Sequence, residues 1–295
     1  MTSVIKNDDL HVRQIKTGCL AQYTYVLQSQ NDMAVIDPLR DIDAYKQMAA
    51  EANATIKWVI LTHYHADFVS GFYDLAEQTN AVIIIGPDSN PSFNCKEVAH
   101  GEILAIGNHG LRVLHTPGHT FESSSFVLED PKGAQLAVFT GDTLFLGDVG
   151  RPDLAQKADM TEKDLAKLLF QSLKLLKDLP DTCLILPGHG AGSACGKNIS
   201  AGDFCTIGIQ KTKNEAFKEV NEDKFVEMVT ANLPPATKYF TMDVHLNKAG
   251  KVMTSNPDPV TLRDHRTFQE TFDRRGSQPV DEGRKDFRDR LQADA

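Results

Sequence analysis

Four short stretches collect side chains that bind metal ions. They are THYHAD (His63, His65, Asp67), HTPGHT (His115, His119), TGDTLF (Asp142) and LPGHG (His189). Imidazole suits iron, zinc, nickel and copper, and a carboxylate adds charge compensation and hardness. A lone histidine beside an apolar strand is usually a hydrogen-bonded structural residue. HxHxD is more specific, because side chains two residues apart converge where the backbone turns. Four such stretches, each following an apolar run, predict a metal site. The residue after Asp67 is Phe68, which cannot coordinate an ion.

The elements that must position these groups read as an α/β chain. HVRQIKTG, QYTYVLQS, MAVIDP and TIKWVILTH are strand-like runs, the last delivering His63 and His65 at its end. DIDAYKQMAAEANA carries Ile42, Tyr45, Met48 and Ala49 at helical spacing, and FVSGFYDLAEQTN resumes that spacing. AVIIIG, GLRVLHTPGHT, SSSFVLED, AQLAVFTGDTLF and TCLILPGHG are further strands punctuated by turns. MTEKDLAKLLFQSLKLLKDL predicts a long helix capped by Thr161, and 214–233 predicts one more helix. Every candidate ligand therefore falls in a loop after a strand, where functional side chains of α/β sheets gather.

The chain has 295 residues, a net charge of −9 and five cysteines without CxxC spacing. The negative charge argues against a nucleic-acid footprint. The odd cysteine count makes a disulfide framework unexpected, and with no apolar signal core a cytoplasmic address is the default expectation. Residues 1–250 are expected to form the metal-binding domain. The stretch 251–295 carries 18 charged residues of both signs and is expected to be a solvated, partly helical or disordered extension.

THYHAD, HTPGHT, GDTLF and PGHG occur in the order and spacing of the metallo-β-lactamase superfamily, which the chain resembles over about residues 10 to 245. The resemblance implies an αββα sandwich with the site at one edge, where the two sheets meet. Dinuclear zinc hydrolases of this superfamily carry HxHxDH, whose last histidine helps bind a second metal. Phe68 stands at that position, so one metal is expected. HADFVSG, GRPDL and PGHGAGSACGK more narrowly resemble the persulfide dioxygenase branch, including members fused to rhodanese domains. Carried over by motif, the iron ligands are His63, His119 and Asp142. His65, Asp67 and His189 then orient ligands and water, with direct ligation by His65 left open. Two histidines and a carboxylate form the facial arrangement of non-haem Fe(II) oxygenases, whereas zinc could only hydrolyse.

What the resemblance implies is one Fe(II) per chain and the oxidation of a low-molecular-weight persulfide, such as glutathione persulfide, by O2 and water to sulfite and thiol. Phe68 serves there as an apolar wall. Cys195 is read as a catalytic pocket residue able to exchange sulfur, or as a small buried hydrophobe. Lys197 is a candidate for a substrate carboxylate, or a solvated lysine. Arg151 is a substrate candidate, or pairs with Asp153 to support the site. His115 is read as structural. No complete rhodanese module follows, so sulfur transfer is expected to involve a separate rhodanese-type sulfurtransferase, and a homodimer is expected from the resemblance. The rival is a zinc thioester hydrolase of glyoxalase II type.

Overall fold

The computed structural model describes residues 1–18, 20–155 and 160–250; the charged extension expected over 251–295 lies outside them. Two β-sheets face each other. In the first, β1 (Thr2–Lys6), β2 (Leu10–Lys16), β3 (Tyr23–Ser29) and β4 (Asp32–Ile36) form an antiparallel meander. Helix α1 (Asp43–Glu51) and helix α2 (Phe72–Thr79) then cross to the parallel strands β5 (Thr55–Ile60), β6 (Val82–Ile85) and the short β7 (Lys96–Glu97). The second sheet begins with β8 (Ile103–Ile106), β9 (His109–His115), β10 (Ser124–Glu129) and β11 (Gln135–Gly141), all antiparallel. Helix α3 (Glu162–Lys177) returns the chain to β12 (Leu184–Pro187), parallel to β11, and β13 (Cys205–Thr206) closes the edge.

Both faces of each sheet are covered, so the strands read as continuous apolar runs while their side chains alternate between two cores. Tyr25, Leu27, Ala34 and Ile36 point inward to meet Phe126, Leu128, Ala137 and Phe139 of the opposite sheet. Their neighbours Val26, Met33 and Val35 pack under α1 and α2. Val127, Val138 and Ile185 pack under α3 and α6 (Glu222–Thr230). The chain is an α/β sandwich of the αββα kind.

Thr161 caps α3 as its sequence predicts, in a reciprocal pair with Asp164. The helix expected over 214–233 is instead two, α5 (Glu215–Lys218) and α6, because Asn221 restarts the backbone by accepting from Lys224 N. α4 (Ile207–Lys213) precedes them, and α7 (Phe240–Ala249) follows. At one edge the two sheets are tied together: Tyr23 N donates to Gly188 O at 2.8 Å and Ser124 N to Thr62 O at 2.9 Å. The site lies along this edge.

Candidate metal centre

His63 follows β5, His119 lies between β9 and β10, and Asp142 follows β11. Their ligating atoms lie within 4.8 Å of one another, and all three residues are buried. Asp142 Oδ2 is 3.6 Å from His63 Nε2 and 3.5 Å from His119 Nε2. That oxygen is buried and accepts no hydrogen bond. A buried carboxylate oxygen facing two imidazoles without a donor is unfavourable unless a cation joins them.

The tautomers suit that role. Thr62 Oγ1 donates to Asp37 Oδ2 at 2.8 Å, so it accepts from His63 Nδ1 at 2.9 Å and leaves the Nε2 lone pair bare. His119 Nδ1 donates to Arg151 O at 2.9 Å, with the same result. Burial, reinforced by His65, holds the His63 imidazole well below its ordinary pKa and therefore neutral. Burial alone would raise the Asp142 pKa, but His189, His63 and His119 outweigh it and keep the group anionic. Two neutral nitrogens and one anionic oxygen fit a divalent transition-metal ion. Backbone shape makes the approach possible: Gly141 has φ +50°, and a Cβ on Gly188 would sit 2.5 Å from Asp142 Oδ1.

His189 stands between two carboxylates. Its Nδ1 meets Asp142 Oδ1 at 2.7 Å and its Nε2 meets Asp67 Oδ2 at 2.9 Å. Burial opposes its protonation, but the two carboxylates prevail and raise its pKa well above the usual value. His65 lies 3.1 Å from Asp37 Oδ1 without hydrogen-bond alignment. Its ring tilts against His63 at 4.2 Å and Phe68 at 4.4 Å. Phe68 is buried and forms a wall of this loop.

Two supports have no signal in the motifs themselves. Asp37 also accepts from Thr62 N at 2.8 Å, so the end of β4 sets the start of the ligand loop. Asn247 of α7 donates to His65 O at 2.8 Å and to Phe68 O at 2.9 Å, and accepts from Ser70 N at 3.0 Å. One amide thus fixes three backbone groups of the loop. Asn247→Ala is expected to weaken metal affinity by up to about tenfold, because the loop that follows His63 loses three backbone hydrogen bonds. Competition with a chromophoric chelator measures this, and unchanged affinity would show that the loop holds itself.

The substrate candidates fare differently. Arg151 is buried, bonds Asp153 through two nitrogens at 2.7 Å each, and donates to Pro234 O. Its guanidinium is consumed internally, in the pairing with Asp153 that is one of its two readings, and not in the substrate role that is the other. Lys197 Nζ donates to Met228 O at 2.7 Å and Ala231 O at 2.9 Å, capping the C-terminal carbonyls of α6. It is a helix cap, not a substrate group. Cys195 is buried beside Asp67 and His189. Burial, with Asp67 and Asp142 adding to it, pushes its thiol pKa well above normal, which works against sulfur exchange by a free thiolate. His115 Nε2 bonds Phe121 O at 2.8 Å, away from the trio.

Asp243 of α7 is 1% exposed, and neither carboxylate oxygen has a partner. Burial, with the Asp67 charge adding to it, raises its pKa to about 7. Between the unfolded carboxyl's pKa of about 3.9 and that value, the folded state retains a proton the unfolded state has released, so stability falls as pH rises through the window. Metal-free Asp243→Asn is therefore expected to melt above the parent at pH 8, the gap narrowing as pH is lowered toward 5. Thermal scans check this; a gap that widens on acidification contradicts it.

Residues 17–189 match the model of the Metallo-beta-lactamase superfamily. A solved metallo-beta-lactamase from Staphylococcus aureus subsp. aureus COL is 36% identical, covers 84% of this chain and 75% of its own, and superposes with a TM-score of 0.77. The structure of ETHE1 from Myxococcus xanthus is 28% identical, covering 81% of this chain and 98% of its own, with a TM-score of 0.68. A hydroxyacylglutathione hydrolase from Rhodopseudomonas palustris is 31% identical over 46% of this chain and 49% of its own. The chain spans about half the length of the curated relatives it matches. No described helix is long and apolar enough to cross a membrane. With the family's strand-end ligands gathered at the seam of a two-sheet sandwich, the chain belongs to the metallo-β-lactamase superfamily.

Proposed function

We propose that the chain is a persulfide dioxygenase holding one Fe(II) through His63, His119 and Asp142. The observation that carries this is a buried set of two bare imidazole nitrogens and one partnerless carboxylate oxygen, in a loop where Phe68 removes the added nitrogen of dinuclear hydrolases. The reaction is RSSH + O2 + H2O giving RSH, sulfite and two protons. Bound iron supplies the redox chemistry and open positions for sulfur and O2. The chain supplies placement. Thr62 and the Arg151 carbonyl fix the two imidazole tautomers. His189 holds the second oxygen of Asp142, leaving Oδ2 for the ion. The Phe68 and His65 rings keep bulk water from that side of the loop.

The alternative is a zinc thioester hydrolase, which the likeness to hydroxyacylglutathione hydrolase favours. An oxygen electrode separates them. Anaerobically iron-loaded protein, given glutathione persulfide and a panel of other persulfides, is expected to consume O2 and release sulfite. Hydrolysis of S-lactoylglutathione with dissolved oxygen untouched would favour the hydrolase.

A further inference from the structure

The two imidazoles of the trio lean on different acceptors. His119 Nδ1 donates to a neutral carbonyl, that of Arg151, at 2.9 Å. His63 Nδ1 donates to the Thr62 hydroxyl at 2.9 Å, and that hydroxyl donates on to Asp37 Oδ2 at 2.8 Å. His63 thus reaches a carboxylate through one bridging hydroxyl. Asp37 is 1% exposed and has φ +51°, a left-handed backbone that costs a residue other than glycine free energy. Bonds on both sides hold it there. Its N–H donates to Ile60 O at 2.8 Å. Its carbonyl accepts from Thr24 Oγ1 at 2.7 Å and from Gln22 Nε2 at 3.0 Å. Asp37 Oδ1 accepts from Thr62 N at 2.8 Å, while His65 Nε2, 3.1 Å from that oxygen, is not aligned to bond it. The directed bonds of the carboxylate therefore both end on Thr62. Pinning the loop needs only the Thr62 N–H. The second oxygen goes to the hydroxyl on which a ligand leans.

We propose that Asp37 is a positioning residue which, through Thr62, strengthens His63 as an electron donor and so lowers the potential at which the bound iron passes between Fe(II) and Fe(III). The redox consequence rests on the dioxygenase reading; the hydrogen-bond chain does not. A carboxylate acceptor polarises the Thr62 O–H, which makes its oxygen a better acceptor for the next bond in the chain. The Nδ1–H is drawn toward that oxygen, and Nε2 gains electron density. A more basic Nε2 favours the more highly charged ion, so an electron is passed to O2 more readily. The Nδ1 proton stays on the imidazole, and no covalent bond is made or broken in this role. The neutral carbonyl on His119 gives that ring no such push.

The test is a potentiometric titration of the full iron-loaded chain without substrate, followed by the electron paramagnetic resonance of Fe(III). Thr62→Val keeps the side chain's shape and removes the hydroxyl; Thr62→Ser keeps the hydroxyl. Thr62→Val and Asp37→Asn are each expected to shift the equilibrium about tenfold toward Fe(II), about 59 mV for one electron. The double variant should shift no further than either single one, because both cut the same chain, and Thr62→Ser should stay with the parent. Metal-free protein gives a second readout. Nitrogen-15 NMR is expected to find His63 protonated on Nδ1 in the parent and in Thr62→Ser. In Asp37→Asn the amide can donate to Thr62 Oγ1 and turn the hydroxyl toward His63, so protonation of Nε2 should appear. A potential unmoved in Thr62→Val, one moved as far in Thr62→Ser, shifts that add in the double variant, or a parent His63 protonated on Nε2 would each overturn the proposal. If Asp37→Asn does not fold, the Thr62 pair decides. Shifted potentials in a chain whose parent takes up no oxygen with any persulfide would instead sink the dioxygenase reading and leave the chain of bonds standing.

Discussion

Asp142→Ala is expected to lose iron and oxygen uptake together. Asp142 supplies the only carboxylate of the trio, and its Oδ2 is the atom both imidazole Nε2 atoms face, at 3.6 and 3.5 Å. Its removal leaves two neutral nitrogens, which neither compensate a dication nor complete the facial set. The loss should exceed the roughly 10- to 100-fold that an outer partner is worth. Alanine also strips His189 of an acceptor for Nδ1, leaving a buried imidazole partly unpaired. Asp142→Asn separates the two effects. An amide can still accept from His189 Nδ1, but it brings no charge to the ion. Both variants should therefore fall in iron content and oxygen uptake alike, the asparagine form with a thermal midpoint close to the parent. Normal turnover in either would remove Asp142 from the ligand set.

Phe68→His carries the second large effect. The Phe68 carbonyl is held by Asn247 and its ring lies against His65, so the backbone that would carry the new imidazole is already fixed. The substitution places a nitrogen one residue from Asp67 and restores HxHxDH. The variant is expected to take up a second zinc ion per chain and to lose oxygen uptake, because paired zinc ions support hydrolysis and not redox chemistry. Metal analysis after zinc loading reads the outcome. A Phe68→His variant that binds no second ion, or a parent chain that already holds two, would show that the aromatic ring is not what keeps the site mononuclear.

Much of this centre was legible because the residues it gathers are metal-competent side chains at strand ends. The apolar runs feeding them are long enough to read as buried strands even though each serves two cores. The supports were illegible for a physical reason. Asp37 and Thr62 act through one carboxylate and one hydroxyl, and such residues also occur in ordinary turns. Helix α7 turns Asp243 and Asn247 inward with Phe240, so it lacks the apolar stripe that marks a packed helix. Arg151 pairs with Asp153 as the GRPDL turn suggests, whereas Lys197 misled in the opposite direction. A lysine in a glycine-rich loop reads as free for a ligand or for solvent, while the fold sets this one on the end of α6. The break at Asn221 had a local signal, an asparagine followed by Glu222 and Asp223, which is ordinary N-terminal chemistry for a new helix.

The central claim is a single redox-active ion in the His63, His119, Asp142 set. Metal analysis of protein reconstituted with iron in zinc-free buffer, with oxygen consumption followed on the same sample, tests it most directly. One iron per chain and persulfide-dependent oxygen uptake that scales with iron content are the expected result. Two ions of the same metal per chain, or uptake unrelated to iron, would contradict it.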